Sequence, residues 1–67
     1  MAQGTVKWFN PTKGYGFIAP EDGSNDVFVH ISSVEQAGLS HLSEGQTVNY
    51  EVTSNKGREC ATELKMA

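Results

Sequence analysis

Apolar and polar side chains alternate with a period of two along most of the chain, and turn-forming residues break the alternation into short runs. Thr5-Val6-Lys7-Trp8-Phe9 is dense in β-formers and stops at Asn10-Pro11, where proline has no N–H to give to a ladder. This predicts the first strand. Tyr15 to Ala19 predicts the second, ended by Pro20 and the polar run Glu21-Asp22-Gly23-Ser24-Asn25, in which Asp22-Gly23 favours a tight turn. Asp26 to Ile31 predicts the third, antiparallel to the second because the link between them is short. From Ser32 to Gly45 the alternation fades into a long connection. Ser32 and Ser33 are suited to cap one helical turn there, through Val34-Glu35-Gln36-Ala37 up to Gly38. Val48, Tyr50 and Val52 then alternate with Asn49, Glu51 and Thr53, and after Asn55-Lys56-Gly57 a weaker alternation runs from Cys60 to Met66. These are strands four and five.

Five short strands, no substantial helix and no repeat predict an all-β fold, a small five-stranded antiparallel Greek-key barrel, because closing the sheet removes edges that would pair with other chains. The length, 67 residues, fits one domain spanning residues 1–67. A domain of this size hides only about 60% of the surface its unfolded chain exposes. With 37% hydrophobic residues, an aromatic side chain on the surface is withheld from a core that can hardly spare it.

The two faces of strands two and three are therefore informative. Period-two geometry sends Tyr15 and Phe17 to one side of strand two, and Gly14, Gly16 and Ile18 to the other. On strand three, Phe28 and His30 go one way and Val27, Val29 and Ile31 the other. An inward aromatic face would turn Ile18, Val27 and Val29 to water and leave glycines beside them, which wastes the best core-forming side chains. The aliphatic face is thus expected inside and the aromatic face outside, as a platform on neighbouring strands. Lys13-Gly14-Tyr15-Gly16-Phe17-Ile18 also follows most of the RNP1 pattern, in which aromatics stack bases and glycines let the strand lie close to the ligand. An RRM is excluded, since its fold puts helices between strands and only ten residues separate Phe17 from Phe28.

Charge narrows the mode of binding. Five Lys and Arg against eight Asp and Glu give a net charge of −3, which argues against affinity dominated by phosphate contacts. Base stacking needs aromatic faces and only a few placed cations, and Lys7 and Lys13 flank the platform. Other chemistries find little support. Gly14-Tyr15-Gly16-Phe17-Ile18-Ala19 satisfies the dinucleotide fingerprint formally, but Pro20 and an acidic turn follow it where a helix is required. His30, His41 and Cys60 lack metal-ligand spacing, so no metal and no cofactor are expected. Ser32 and Ser33 follow His30, yet neighbours at a strand end point apart and no third group orients the imidazole, so no enzyme is expected. One cysteine, no secretory signal and no run of roughly 20 apolar residues predict a cytoplasmic protein without a membrane segment.

Gly4-x-Val6-Lys7-Trp8-Phe9-Asn10, Lys13-Gly14-Tyr15-Gly16-Phe17-Ile18 and Asp26-Val27-Phe28-Val29-His30, in this order and spacing, resemble the bacterial cold-shock proteins across nearly the whole chain. The resemblance implies an OB-fold barrel that binds single-stranded RNA and DNA, and an RNA chaperone that affects translation or transcription. Stacked ring faces carry little base identity, so low sequence specificity is expected, and the chain is expected to be a monomer. The resemblance also implies an exposed Trp8, although strict alternation from a buried Val6 points Trp8 inward. A bulge would reconcile the two, with Phe9 at the platform's edge. Asp26 aligns with a family acid near the base-binding face, where a carboxylate accepts from a base amino group or serves as a plain turn acid. Phenylalanine is common in the family where this chain has Ile31 and Leu39, so Ile31 joins the candidate site as an aliphatic substitute. Lys56 and Arg58 fall in a loop that OB-folds use for binding, but both are read as solvated surface charge. Arg58-Glu59 replaces a frequent Gly-Pro and leaves the register of strand five open by about one residue. The candidate site is Lys7, Trp8, Phe9, Lys13, Tyr15, Phe17, Asp26, Phe28, His30 and Ile31. A small barrel that binds a protein or oligosaccharide is the alternative.

Overall fold

Asn10 ends the first strand by folding its side chain back on the turn, where Oδ1 accepts the N–H groups of Thr12 and Lys13 at 2.9 and 3.0 Å. Gly14 then reverses the chain at φ +87°, a conformation open to glycine at little cost. In the computed structural model, which describes residues 2–55 and 57–66, this turn joins β1 (Ala2–Asn10) to β2 (Tyr15–Pro20). The Asp22-Gly23 turn leads on to β3 (Val27–His30), and the chain continues through a short helix, α1 (Ile31–Gln36), to the hairpin of β4 (Thr47–Asn55) and β5 (Arg58–Met66).

The strands close into a barrel in the order β1-β2-β3-β5-β4, with β4 returning to β1. This is the five-stranded barrel expected from the alternation. Neighbours are antiparallel except at the closure, where β3 and β5 run parallel with Phe28 beside Cys60. β1 is longer than its run of β-formers because it pairs with β2 on one side and β4 on the other. β5 begins at Arg58, two residues before the expected start, because it is hydrogen-bonded to β4 from the Asn55–Arg58 pair onward.

The interior is built from Val6, Ile18, Val27, Val29, Val48, Tyr50, Ala61 and Leu64 of the strands, with Val34 of α1 and Leu42 of the following connection packed into the same cluster. Ile18 and Val29 are fully buried, so the aliphatic face of β2 and β3 is the inner one.

Three local expectations are corrected. Strand three stops at His30, so Ile31 is the first residue of α1 and half-buried, not a third inward residue beside Val27 and Val29. The helix is capped by His30, whose side chain accepts the Ser32 N–H, and not by the serines. Val52 does not continue the inward set of Val48 and Tyr50: the β4–β5 register shifts between Asn49 and Glu51, and Val52 is 43% exposed.

Candidate functional site

The outer face of β1, β2 and β3 carries a connected group of rings. Trp8 meets Tyr15 and Phe17 edge-on at centroid distances of 5.6 and 5.4 Å. Phe28 lies stacked on Tyr15 at 5.7 Å, edge-on to Phe17 at 5.8 Å and tilted against His30 at 6.4 Å. Cross-strand register produces this arrangement, since Phe17 faces Phe28 and Tyr15 faces His30 across β2 and β3. Tyr15, Phe17 and Phe28 are half-buried, screened by one another's edges, while His30 is exposed.

Trp8 reaches this face through a bulge. Val6 pairs with Ile18 and Trp8 with Phe17, which leaves Lys7 as the extra residue. Val6 is held on its other side by the lead into β4, donating its N–H to the Gln46 carbonyl and accepting from the Gly45 N–H, both at 2.8 Å. With Val6 fixed inward, the inserted Lys7 turns Trp8 outward, and Trp8 is 37% exposed. Gly16 keeps β1 close at this point: a Cβ there would collide with the Trp8 carbonyl oxygen and lie 2.7 Å from the Phe9 Cα.

Phe9 is not at the platform's edge. It pairs with Gly16, packs half-buried against the core cluster and, among the described residues, takes no part in the ring contacts that link Trp8, Tyr15, Phe17, Phe28 and His30. The bulge explains this too, because turning Trp8 outward turns the next residue inward.

Lys7 and Asp26 are brought together at the rim as an ion pair, with Nζ donating to Oδ2 at 2.9 Å. Asp26 is thus neither a bare turn acid nor a free acceptor. Lys13 is exposed in the turn that precedes Tyr15. Ile31 donates its N–H to the Gly14 carbonyl at 2.8 Å, which ties the end of the platform to the first turn. Leu39 is half-buried against the core.

His30 Nδ1 accepts the Ser32 N–H at 3.1 Å and lies 3.0 Å from Ser32 Oγ. The expectation that these side chains point apart is corrected, because the chain turns into a helix cap after His30. With Nδ1 accepting, the neutral ring carries its proton on Nε2. The imidazole is thereby fixed as a helix cap that presents Nε2 and its ring face.

Of the two cations expected as plain surface charge, Lys56 lies outside the described residues, and Arg58 departs from that expectation. Its guanidinium carbon sits 5.0 Å from the centroid of the Phe28 ring. No local signal in the sequence marks this contact, because it depends on the parallel pairing of β3 with β5.

Among the described residues no group of three or more His, Cys, Asp or Glu could hold a metal ion, and no helix is long and apolar enough to cross a membrane.

A family profile for the 'Cold-shock' DNA-binding domain matches residues 2–67. The chain is 64% identical over 56 residues to a probable cold shock protein of Sinorhizobium fredii, covering 84% of this chain and 81% of that one. It is 54% identical to cold shock protein CspA of Rhizobium meliloti over the full length of both. It is 51% identical to cold shock-like protein CspE of Escherichia coli, over 96% of this chain and 94% of the other.

Proposed function

Because the chain belongs to the cold-shock domain family, a family of non-enzymatic nucleic-acid-binding proteins, we propose that residues 1–67 act as one domain that binds single-stranded RNA and DNA by stacking splayed bases on Trp8, Tyr15, Phe17, Phe28 and His30. The observation that carries this reading is the unbroken set of ring contacts on the outer face of a barrel whose aliphatic residues are already inside. A protein this small has no structural use for so many aromatic side chains outside its core.

The nucleic-acid backbone runs past Lys7 and Lys13 over roughly 4 to 16 nucleotides, as OB-folds accommodate. Lys7 exchanges Asp26 for a phosphate, and the exchange leaves Asp26 free to accept from a base amino group. Ring faces carry little base identity, so sequence preference is weak. A binder that holds bases apart competes with base pairing and keeps RNA unpaired without ATP, which makes an RNA chaperone acting on transcription or translation the cellular role.

The test uses Trp8, the only tryptophan. A pyrimidine oligonucleotide added to micromolar protein at low salt is expected to quench the indole fluorescence, and the matched duplex to quench it far less. Lys7 and Lys13, neutralising two phosphates, should together contribute about −1.4 to the slope of log K against log salt. Unchanged fluorescence on adding the single strand refutes the proposal.

A further inference from the structure

Phe28 touches three other rings of the platform and has a cation over its face. Cys60 pairs with Phe28 across the barrel closure, and Ala61 is buried. Period two therefore turns Cys60 and Arg58 outward, on the same side as the ring. Arg58 is itself exposed, so packing does not force the guanidinium onto Phe28. The attraction between cation and ring holds it there.

We propose that Phe28 and Arg58 are the two jaws of one base slot, so that a nucleobase enters between ring and guanidinium and stacks on both. The proposal rests on the single-strand-binding reading above and assigns to that site a residue from the opposite edge of the barrel closure. Two van der Waals spacings of about 3.5 Å make a slot of about 7 Å, so the guanidinium carbon has to lift by roughly 2 Å from its 5.0 Å position. An exposed side chain with several rotatable bonds makes such a movement on a fast timescale. The exposed cation–π pair given up is weak, and stacking on a planar base together with attraction to the adjoining phosphates takes its place. In the free protein Arg58 covers the hydrophobic face of Phe28. In the complex it places a positive charge directly on the nucleic acid, which matters on a chain of net charge −3. Only a planar, delocalised cation serves both purposes, so lysine is not an equivalent.

Titration of Trp8 fluorescence with a pyrimidine oligonucleotide, across a salt series, tests the slot. Arg58→Gln should weaken binding about threefold or more at low salt and reduce the salt slope by about 0.7, the loss of one phosphate contact. Arg58→Lys should keep the slope and recover only part of the affinity. Phe28→Leu retains apolar bulk and removes the ring face, and Arg58→Gln should cost less on that background than in the wild type, because the slot has already lost one jaw. Circular dichroism confirms that each variant is folded. Wild-type affinity in Arg58→Gln, or tighter binding, overturns the proposal, the latter because Arg58 would then be a lid that competes for Phe28. Losses that add independently on the Phe28→Leu background also overturn it, because Arg58 would then meet phosphate alone. Failure of the wild type to bind overturns the function itself, whereas normal wild-type binding with an inert Arg58 overturns only the slot.

Discussion

Tyr50 lies wholly inside the barrel, and among the described residues its hydroxyl finds no hydrogen-bond partner. The surroundings are closed: a Cβ on Gly4 would lie 3.0 Å from the Tyr50 oxygen. An unpaired buried polar group costs about 1–3 kcal/mol. Tyr50→Phe removes that cost and leaves a void of roughly 10–15 Å³, which at about 24 cal/mol per Å³ returns only about 0.3 kcal/mol. The variant should be more stable by about 1–2 kcal/mol, and at about 4–8 °C per kcal/mol its melting temperature should rise by about 4–16 °C. Thermal unfolding followed by circular dichroism at pH 7 measures this. A second reading comes at alkaline pH. Burial first, then the carboxylates of Asp22, Glu21 and Glu59, push the Tyr50 hydroxyl above its ordinary value of 10.0. The folded state therefore keeps a proton that the unfolded state releases, so stability is undiminished below about pH 10 and falls as pH climbs through the folded value. Tyr50→Phe lacks this loss, and its advantage over the wild type should widen above pH 10 by at most about 1.4 kcal/mol per pH unit. A variant that melts at or below the wild type at pH 7 refutes the reasoning, since the hydroxyl must then have a partner worth keeping.

Tyr15→Ala and Phe17→Ala should each weaken single-strand binding by about 1–3 kcal/mol, roughly 5- to 150-fold, in the fluorescence titration while the melting transition stays cooperative. Collapse of the fold in either variant would return these rings to the core. Gly16→Ala drives a methyl group into the β1 backbone at Trp8 and Phe9, and should cost about 1–3 kcal/mol in a denaturant melt. The same strain should part Trp8 from Phe17, so nucleic-acid quenching should fall as well, and an unchanged melt would refute the close approach. Ile31→Phe restores a ring at the half-buried end of the platform and should tighten binding several-fold, toward the lower end of the ~1–3 kcal/mol worth of a full stack. No gain would mean that bases do not reach that end.

The ion pair of Lys7 with Asp26 bears on the charge argument. An exposed pair of this kind contributes about 0–1 kcal/mol to stability, so it is easily exchanged for a phosphate. It holds one of the two platform lysines at the rim in the free protein. The acidic excess of the chain therefore does not prevent local attraction, provided that the cations face the strand that binds.

Alternation along the chain was enough to tell which sides of β2 and β3 face inward. Tyr15, Phe17, Phe28 and His30 could be separated from Ile18, Val27 and Val29 because alternation in a strand is a local steric property, readable wherever the pairing is regular. The motif spacing likewise points to the family, because it is a property of the chain and independent of any tertiary contact. The three-dimensional fold was needed at the positions where regularity breaks or where distant segments meet. Trp8 faces out and Phe9 in because Val6 is pinned between β2 and the lead into β4, with Lys7 bulged between them. Ile31 leaves the strand because His30 caps a helix. Arg58 covers Phe28 because the barrel closes through a parallel pair of strands far apart in the chain. Each of these depends on which backbone groups find one another across the fold. A period of two in one strand carries no information about its partner.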